Sequence, residues 1–270
     1  MKHYLSFSLL FFFALIAGCT SSTKTVDVAA HKKEIEEWQA KRLARLTRED
    51  GWLTLCGLFW LKEGKNTVGS DSSNSVVLPA GKAPGNIGSI FMEKGVLQFE
   101  AKKGVQVTIG DSAITSTPLL SDESDDGPTI LRYGTLSFYV IKRGDELGVR
   151  VKDKENPARL NFKGLEYFPI DPKWRFEAKF EPYHPPKILE IPTAVGTIEK
   201  DSCPGALVFN VEGKESRLDV VVEKGSEDQF FIMLSDETSG KETYAVGRQL
   251  YTALPDSTGN VILDFNKAYN

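Results

Sequence analysis

From residue 64 onward the chain is built of short runs in which apolar and polar residues alternate, each closed by a turn of Gly, Asp, Asn, Lys or Ser. The runs fall at 66–69, 75–78, 89–92, 96–101, 105–109, 113–118, 129–133, 135–143 and 146–152. Turns such as Glu93-Lys94-Gly95, Lys102-Lys103-Gly104 and Gly110-Asp111 separate them. A side-chain period of two puts alternate residues on opposite faces of a strand, so each run has one face to bury. Many short strands joined by tight turns specify an antiparallel sandwich or barrel. The pattern returns at 188–191, 195–200, 206–211, 214–222, 229–234, 242–254 and 260–265, with turns at 236–241 and 255–259. The predicted fold class is therefore mainly β, with a second antiparallel unit, barrel-like in kind, after the first.

Between the halves lies the segment 164–187, rich in aromatic residues and holding Pro169, Pro172, Pro182, Pro185 and Pro186. Within it Trp174, Phe176, Ala178 and Phe180 alternate with Arg175, Glu177, Lys179 and Glu181, a strand with one apolar face. Proline cannot donate to a ladder, so the flanking prolines are expected to stop this strand at both ends. The segment reads as the seam between a unit at 31–163 and a unit at 164–270.

One helix is expected, over 31–49. Ile35, Trp38, Leu43 and Leu46 recur near helical spacing, with acids early and Lys41, Arg42, Arg45 and Arg48 late, which suits the macrodipole. Its apolar stripe is expected to dock on the first β unit.

Composition sets limits. Hydrophobic residues make up 41% and charged residues 26% of the 270, which supports a sizeable core. The formal charge is −4, which lacks the basic footprint of a nucleic-acid binder. Residues 1–18 carry Lys2 and His3 ahead of a short apolar run, the pattern of a signal peptide. The stretch Ile16-Ala17-Gly18-Cys19 resembles the lipobox of bacterial lipoproteins. That resemblance implies lipidation of Cys19, a tether over 19–30, and a membrane partner through the lipid. With Thr20 next, it also implies a periplasm-facing anchor in the outer membrane. Cys56 and Cys203 remain; a free Cys56 buried in the apolar run 52–60 is the expected arrangement, with pairing of the two as the alternative.

Two further resemblances bear on the fold. The stretch Val68-Gly69-Ser70-Asp71-Ser72-Ser73-Asn74-Ser75-Val76-Val77-Leu78-Pro79 is similar to the opening of a forkhead-associated domain, and the likeness extends over about 66–153. It implies a β-sandwich. Ser70 stands where that family has the arginine that clamps phosphate, and no histidine falls near 86–91, so the phosphothreonine site is not implied. The motifs at 57–64, 167–175, 240–248 and 263–270 together resemble the bacterial family catalogued as domain of unknown function 1684, over nearly all of the chain beyond Ile35. Members of that family usually run on past Asn-Lys-Ala-Tyr-Asn into a Pro-Pro-Cys tail. The resemblance thus implies a further piece of the C-terminal unit beyond Asn270, and with it a possible partner for Cys203.

Chemistry is sparse. The histidines are His3, His31 and His184; the first goes with the signal peptide, the second sits at the end of the tether, and the third lies in a proline-rich turn. No nucleophile elbow, metal-ligand spacing or phosphate loop occurs, so no catalytic residue, metal or cofactor is assigned. Lys142, Arg143, Arg150, Lys152 and Asp153 read as solvated surface. The candidate ligand-binding set is Glu242, Tyr244, Arg248, Asp264, Asn266 and Tyr269. Even spacing would put Glu242, Tyr244 and Arg248 on one strand face, with Arg248 holding an anion and the tyrosines packing a ligand. The bland alternative is a structural Arg248–Asp264 pair. The expected function is a cell-envelope protein binding a small anionic or polar ligand, or a protein partner, in the C-terminal unit. A hydrolase-like enzyme using Glu242 and Asp264, and a purely structural envelope protein, are the alternatives.

Overall fold

The structure is a computed structural model, and it describes residues 26–192, 198–223 and 225–270. The expected signal peptide, Cys19 and most of the tether lie outside the described residues. The fold is mainly β with one long N-terminal helix. Helix α1 spans Val28–Thr47, started by Asp27, whose carboxylate accepts from the amides of Ala29 (3.0 Å) and Ala30 (3.1 Å). A 3-10 turn, Trp52–Thr54, leads into β1 (Leu55–Trp60), β2 (Gly64–Gly69), β3 (Val76–Val77), β4 (Gly88–Glu93), β5 (Val96–Ala101), β6 (Val107–Ile109), β7 (Ser112–Ile114), β8 (Ser116–Pro118), β9 (Leu131–Tyr133), β10 (Leu136–Arg143) and β11 (Glu146–Asp153). The run expected at 113–118 is thus divided between two strands. A short helix α2 (Pro157–Leu160) and a 3-10 turn at Pro172–Trp174 precede β12 (Arg175–Pro192), β13 (Ile198–Val211), β14 (Lys214–Val222), β15 (Gln229–Leu234), β16 (Arg248–Ala253) and β17 (Asn260–Asp264).

The first eleven strands form two sheets, ordered β1-β11-β10-β9-β6-β7 and β3-β2-β4-β5-β8. Their inner faces share one core, in which Val68, Ile90 and Phe99 of the second sheet meet Leu131, Phe138, Val140 and Val149 of the first. Alternation does this directly: in β10, Leu136, Phe138 and Val140 are buried while Ser137 and Tyr139 are only half-buried.

The C-terminal strands form one sheet, ordered β16-β15-β14-β13-β12-β17, antiparallel throughout and nearly closed into a barrel. The ends of the sheet approach where Thr252 Oγ1 donates to Ile262 O (2.7 Å) and where Gln249 exchanges backbone hydrogen bonds with Tyr269 (2.7 and 3.0 Å). The interior is packed with rings: Phe176, Phe209 and Phe265 stack in mutual contact, and Phe180 meets Phe230 at 5.2 Å. The expected apolar face of the seam strand is met at Phe176, Ala178 and Phe180, whereas Trp174 stays in the preceding turn and is exposed.

Three expectations need correction. The prolines do not end the seam strand, because β12 runs on to Pro192. Pairing skips from Pro182↔Gly205 to Lys187↔Cys203, so the proline-rich stretch bulges out of the ladder and the missing amides cost no hydrogen bond. The strand expected at 242–254 is only β16. Residues 241–243 instead turn back so that their three amides all donate to Thr238 O, at 2.9–3.1 Å. Finally, α1 does not lay its inner face on the first β unit. That face is His31, Ile35, Trp38, Arg42 and Arg45, and its contacts are with the end of β17 and the residues after it. Leu43, expected in the stripe, is exposed. Only the last turn of α1 reaches toward the first unit, where Thr47 O accepts from Arg159 Nε at 2.7 Å.

Both remaining cysteines are free. Cys203 is buried; Cys56, expected inside, lies in an exposed residue of edge strand β1 with its thiol turned onto Val151 O at 3.5 Å. Burial of that sulfur, helped by the charge of Asp153, pushes the thiol pKa up to about 11.

Candidate functional site

Helix periodicity sets the site. Trp38 and Arg45 are seven residues apart, two turns, and so share one face. His31, Ile35 and Arg42 lie on that face too, and His31 and Arg42 each have a partner in the C-terminal unit. His31 is 4% exposed, and its Nε2–H donates to Asp264 Oδ2 at 2.7 Å. Ile35 is fully buried. The guanidinium of Arg42 lies 3.7 Å over the ring of Tyr269 and donates to Asn270 O at 3.0 Å. Trp38 packs between Tyr167 and Tyr269, with ring centroids 6.3 and 6.1 Å away. Lys267 reaches across to Glu34 at 2.5 Å.

Beside this contact opens a cleft of about 440 Å³. Helix α1 supplies Trp38 and Arg45; β16 supplies Tyr251; the start of β15 and the turn before it supply Gln229 and Ser226. Lys267 and Tyr269 close the third side. Tyr251 donates to Glu223 Oε2 at 2.8 Å, and burial together with that acid neighbour holds its phenol well above the usual tyrosine range. Burial also raises Tyr269, against the opposing pull of Arg42 and Arg45. Both phenols therefore stay protonated as hydrogen-bond donors at neutral pH. Among the described residues no carboxylate pairs with Arg45, and its residue is exposed at the rim. A smaller cleft of about 230 Å³ on the sandwich, beside Trp60, carries Glu63, Asp145 and Glu146. Among the described residues no group of His, Cys, Asp and Glu is arranged to hold a metal ion.

The six residues singled out from the sequence fall in different surroundings. Arg248 pairs with Asp236, not with Asp264, and lies over the Phe168 ring at 6.0 Å. Asp264 is buried against His31 and also accepts from the amide (3.1 Å) and Nδ2 (2.8 Å) of Asn266. Asn266 in turn exchanges hydrogen bonds with the backbone of Asp171, at 2.9 and 3.0 Å. Glu242 and Tyr244 are exposed in the 236–247 loop, although the Tyr244 amide donates to Asn270 Oδ1 at 3.1 Å. Tyr269 alone of the six lines the larger cleft. Trp38, Arg45, Tyr251, Gln229, Ser226 and Lys267 were missed. The helical spacing of Trp38, Arg42 and Arg45 was the available sign, and a stripe with two arginines is not read as an inner face by hydropathy.

No curated protein matches the chain. One solved structure that it resembles is the solution NMR structure of an uncharacterized protein of Haloarcula marismortui, at 30% identity and a TM-score of 0.34. That likeness covers 42% of this chain, which spans 63% of the other. The barrel side of the cleft and the residues after β17 lie inside residues 160–270, while Trp38 and Arg45 lie outside them. Over residues 160–270 the chain matches the model of the family described as Protein of unknown function (DUF1684), and its C-terminal unit is accordingly similar to that family.

Proposed function

We propose that the protein binds a small anionic ligand in the cleft between α1 and the C-terminal sheet. The observation that carries this reading is Arg45, a cation without a carboxylate partner among the described residues, set beside Trp38, Tyr251 and Tyr269 in a concavity of about 440 Å³. That volume falls in the roughly 300–1,000 Å³ range of small-molecule sites, and aromatic walls with a few converging polar groups are their usual lining. Guanidinium is the side chain best suited to hold a carboxylate or phosphate with two parallel hydrogen bonds. The ligand site so proposed keeps Tyr269 from the sequence-derived set and places Asp264 and Asn266 in its support, through α1 and the segment before β12. In this reading Arg248 closes the 236–247 loop.

The proposal extends to the address. Ile16-Ala17-Gly18-Cys19 supports lipidation of Cys19 and a cell-envelope anchor, with α1 following the expected tether. No described helix is long and apolar enough to cross a membrane. Metabolic labelling with a palmitate analogue tests the anchor: label lost on Cys19→Ser supports it, and label unchanged removes it. For the site, inorganic phosphate and acetate are titrated against the protein and Arg45→Ala in a thermal-shift assay. Stabilisation that Arg45→Ala abolishes supports the reading; equal stabilisation of both proteins places anion binding elsewhere.

A further inference from the structure

We infer that the ligand of this cleft is an acidic saccharide, a sugar ring carrying a carboxylate or a phosphate; the inference rests on the cleft being the ligand site. Among the described residues the lining has no aliphatic side chain, since its walls are Trp38, Tyr251 and Tyr269 and the rest are polar. That disfavours an acyl chain, which would set hydrocarbon against the Arg45 guanidinium and the unused Gln229 Oε1. It suits a molecule with apolar C–H faces and polar edges, because an aromatic ring packs against the former while side-chain amides and hydroxyls meet the latter.

Two neighbouring groups refine the choice. Gln229 Nε2 donates to Ser226 Oγ at 2.9 Å. The bond uses one amide proton of Gln229 and one lone pair of Ser226, so Gln229 Oε1 is left to accept and the Ser226 hydroxyl proton is left to donate. A free acceptor beside a free donor matches adjacent hydroxyls, each of which both donates and accepts. A carboxylate such as benzoate offers Gln229 Oε1 no donor, and inorganic phosphate at neutral pH offers one or two hydroxyls but no adjacent pair on a ring. Lys267 adds further donors beyond the one it gives Glu34. Arg45, at the rim, is where the acidic substituent goes.

The probes are glucuronate, glucose 6-phosphate, glucose, inorganic phosphate and benzoate, titrated into the purified full chain by calorimetry and by intrinsic tryptophan fluorescence. The expected result is saturable binding of glucuronate or glucose 6-phosphate, at least tenfold tighter than glucose or phosphate, with quenching that Trp38→Phe removes. Whichever acid sugar binds identifies the acid. Arg45→Ala should weaken it at least tenfold with an unchanged melting temperature, and Gln229→Leu should bring the acid sugar down to the level of phosphate. Phosphate or benzoate binding as tightly as either acid sugar, with Arg45 dependence, overturns the saccharide and leaves the anion site standing. If none of the five binds, both the saccharide and the anion site fall.

Discussion

His31 Nε2 and Asp264 Oδ2 sit 2.7 Å apart, both residues nearly inaccessible, although 233 positions separate them in the chain. This contact fastens the first turn of α1 to the last residue of β17. The other ring nitrogen, His31 Nδ1, is buried with no partner among the described residues, so the hydrogen bond to Asp264 carries the whole polar attachment of that side chain.

Removing Asp264 leaves His31 buried and unpaired, whereas removing His31 leaves Asp264 its bonds from Asn266, so the losses are unequal. Asp264 also receives the Asn266 amide and Nδ2, so Asp264→Ala strands three donors and His31→Ala strands one acceptor. Unsatisfied buried groups cost about 1–3 kcal/mol each. Asp264→Ala is therefore expected to destabilise the C-terminal unit by about 3 kcal/mol or more and His31→Ala by about half as much, read from denaturant midpoints. Equal losses would mean that Asn266 finds other partners.

The 236–247 loop should loosen in acid. Burial pushes the Asp236 carboxyl up, but the hydroxyl and amide of Thr238 and the guanidinium of Arg248 together hold it below the usual carboxylate range. With the folded pKa depressed, the protein-side advantage is complete above the unfolded value of about 3.9 and is lost as pH falls through the folded value. Amide exchange in 236–247, referenced to the intrinsic rate at each pH, should lose protection as pH drops below about 4. Asp236→Asn should show low protection at every pH. A wild-type profile flat down to pH 2 would refute the assignment.

Thiol chemistry should separate the two free cysteines. In a Cys19→Ser background, iodoacetamide should modify Cys56 slowly at pH 8 and faster as pH approaches 11, because the raised pKa leaves about a hundredfold less thiolate than a free cysteine has. Cys203, buried with its thiol on Gly205 O at 3.4 Å, should react only on unfolding. Rapid labelling of Cys203 in the native protein would show that the bulge at 183–186 opens.

Gly205 should tolerate no side chain. A Cβ there would fall 2.3 Å from Glu181 O and 2.6 Å from the Phe180 ring, just where β13 crosses beside the proline bulge of β12. Gly205→Ala is expected to cost about 2 kcal/mol or more, as overpacked core sites do. Gly213→Ala meets only the strain of a positive φ in open space, a cost of about 1 kcal/mol. Midpoints from urea unfolding decide, and a reversed order would contradict the register at Gly205.

Strands closed by turn residues on both sides were legible to the residue: 96–101, 214–222 and 229–234 appear as β5, β14 and β15 with those bounds. What escaped depends on distant partners. His31 follows two alanines and has no apolar rhythm of its own, so nothing local marks it as interior; Asp264 does that from the far end of the chain. Arg42 became part of an inner face because Tyr269 offers it a ring, and such a pairing leaves no trace in hydropathy. The regular spacing of Glu242, Tyr244 and Arg248 misled because Thr238 O gathers three successive amides into a tight loop before β16 begins. The cleft was invisible for the same reason as α1's docking, since it exists only where Trp38 and Arg45 face Tyr251 and Tyr269.

The strap that α1 lays across β17 also governs the order of events in folding. A chain made from its N-terminus produces this helix before its landing surface, which follows only after the whole sandwich has been synthesised. Throughout that interval His31 lacks Asp264 and Trp38 lacks Tyr269, and the long loop between these partners must be closed before their contact brings any gain. The sandwich, complete in itself from β1 to β11, can form first and shorten that loop. Maturation would then include a late docking step, in which α1 seats against β17 and the cleft between them comes into being.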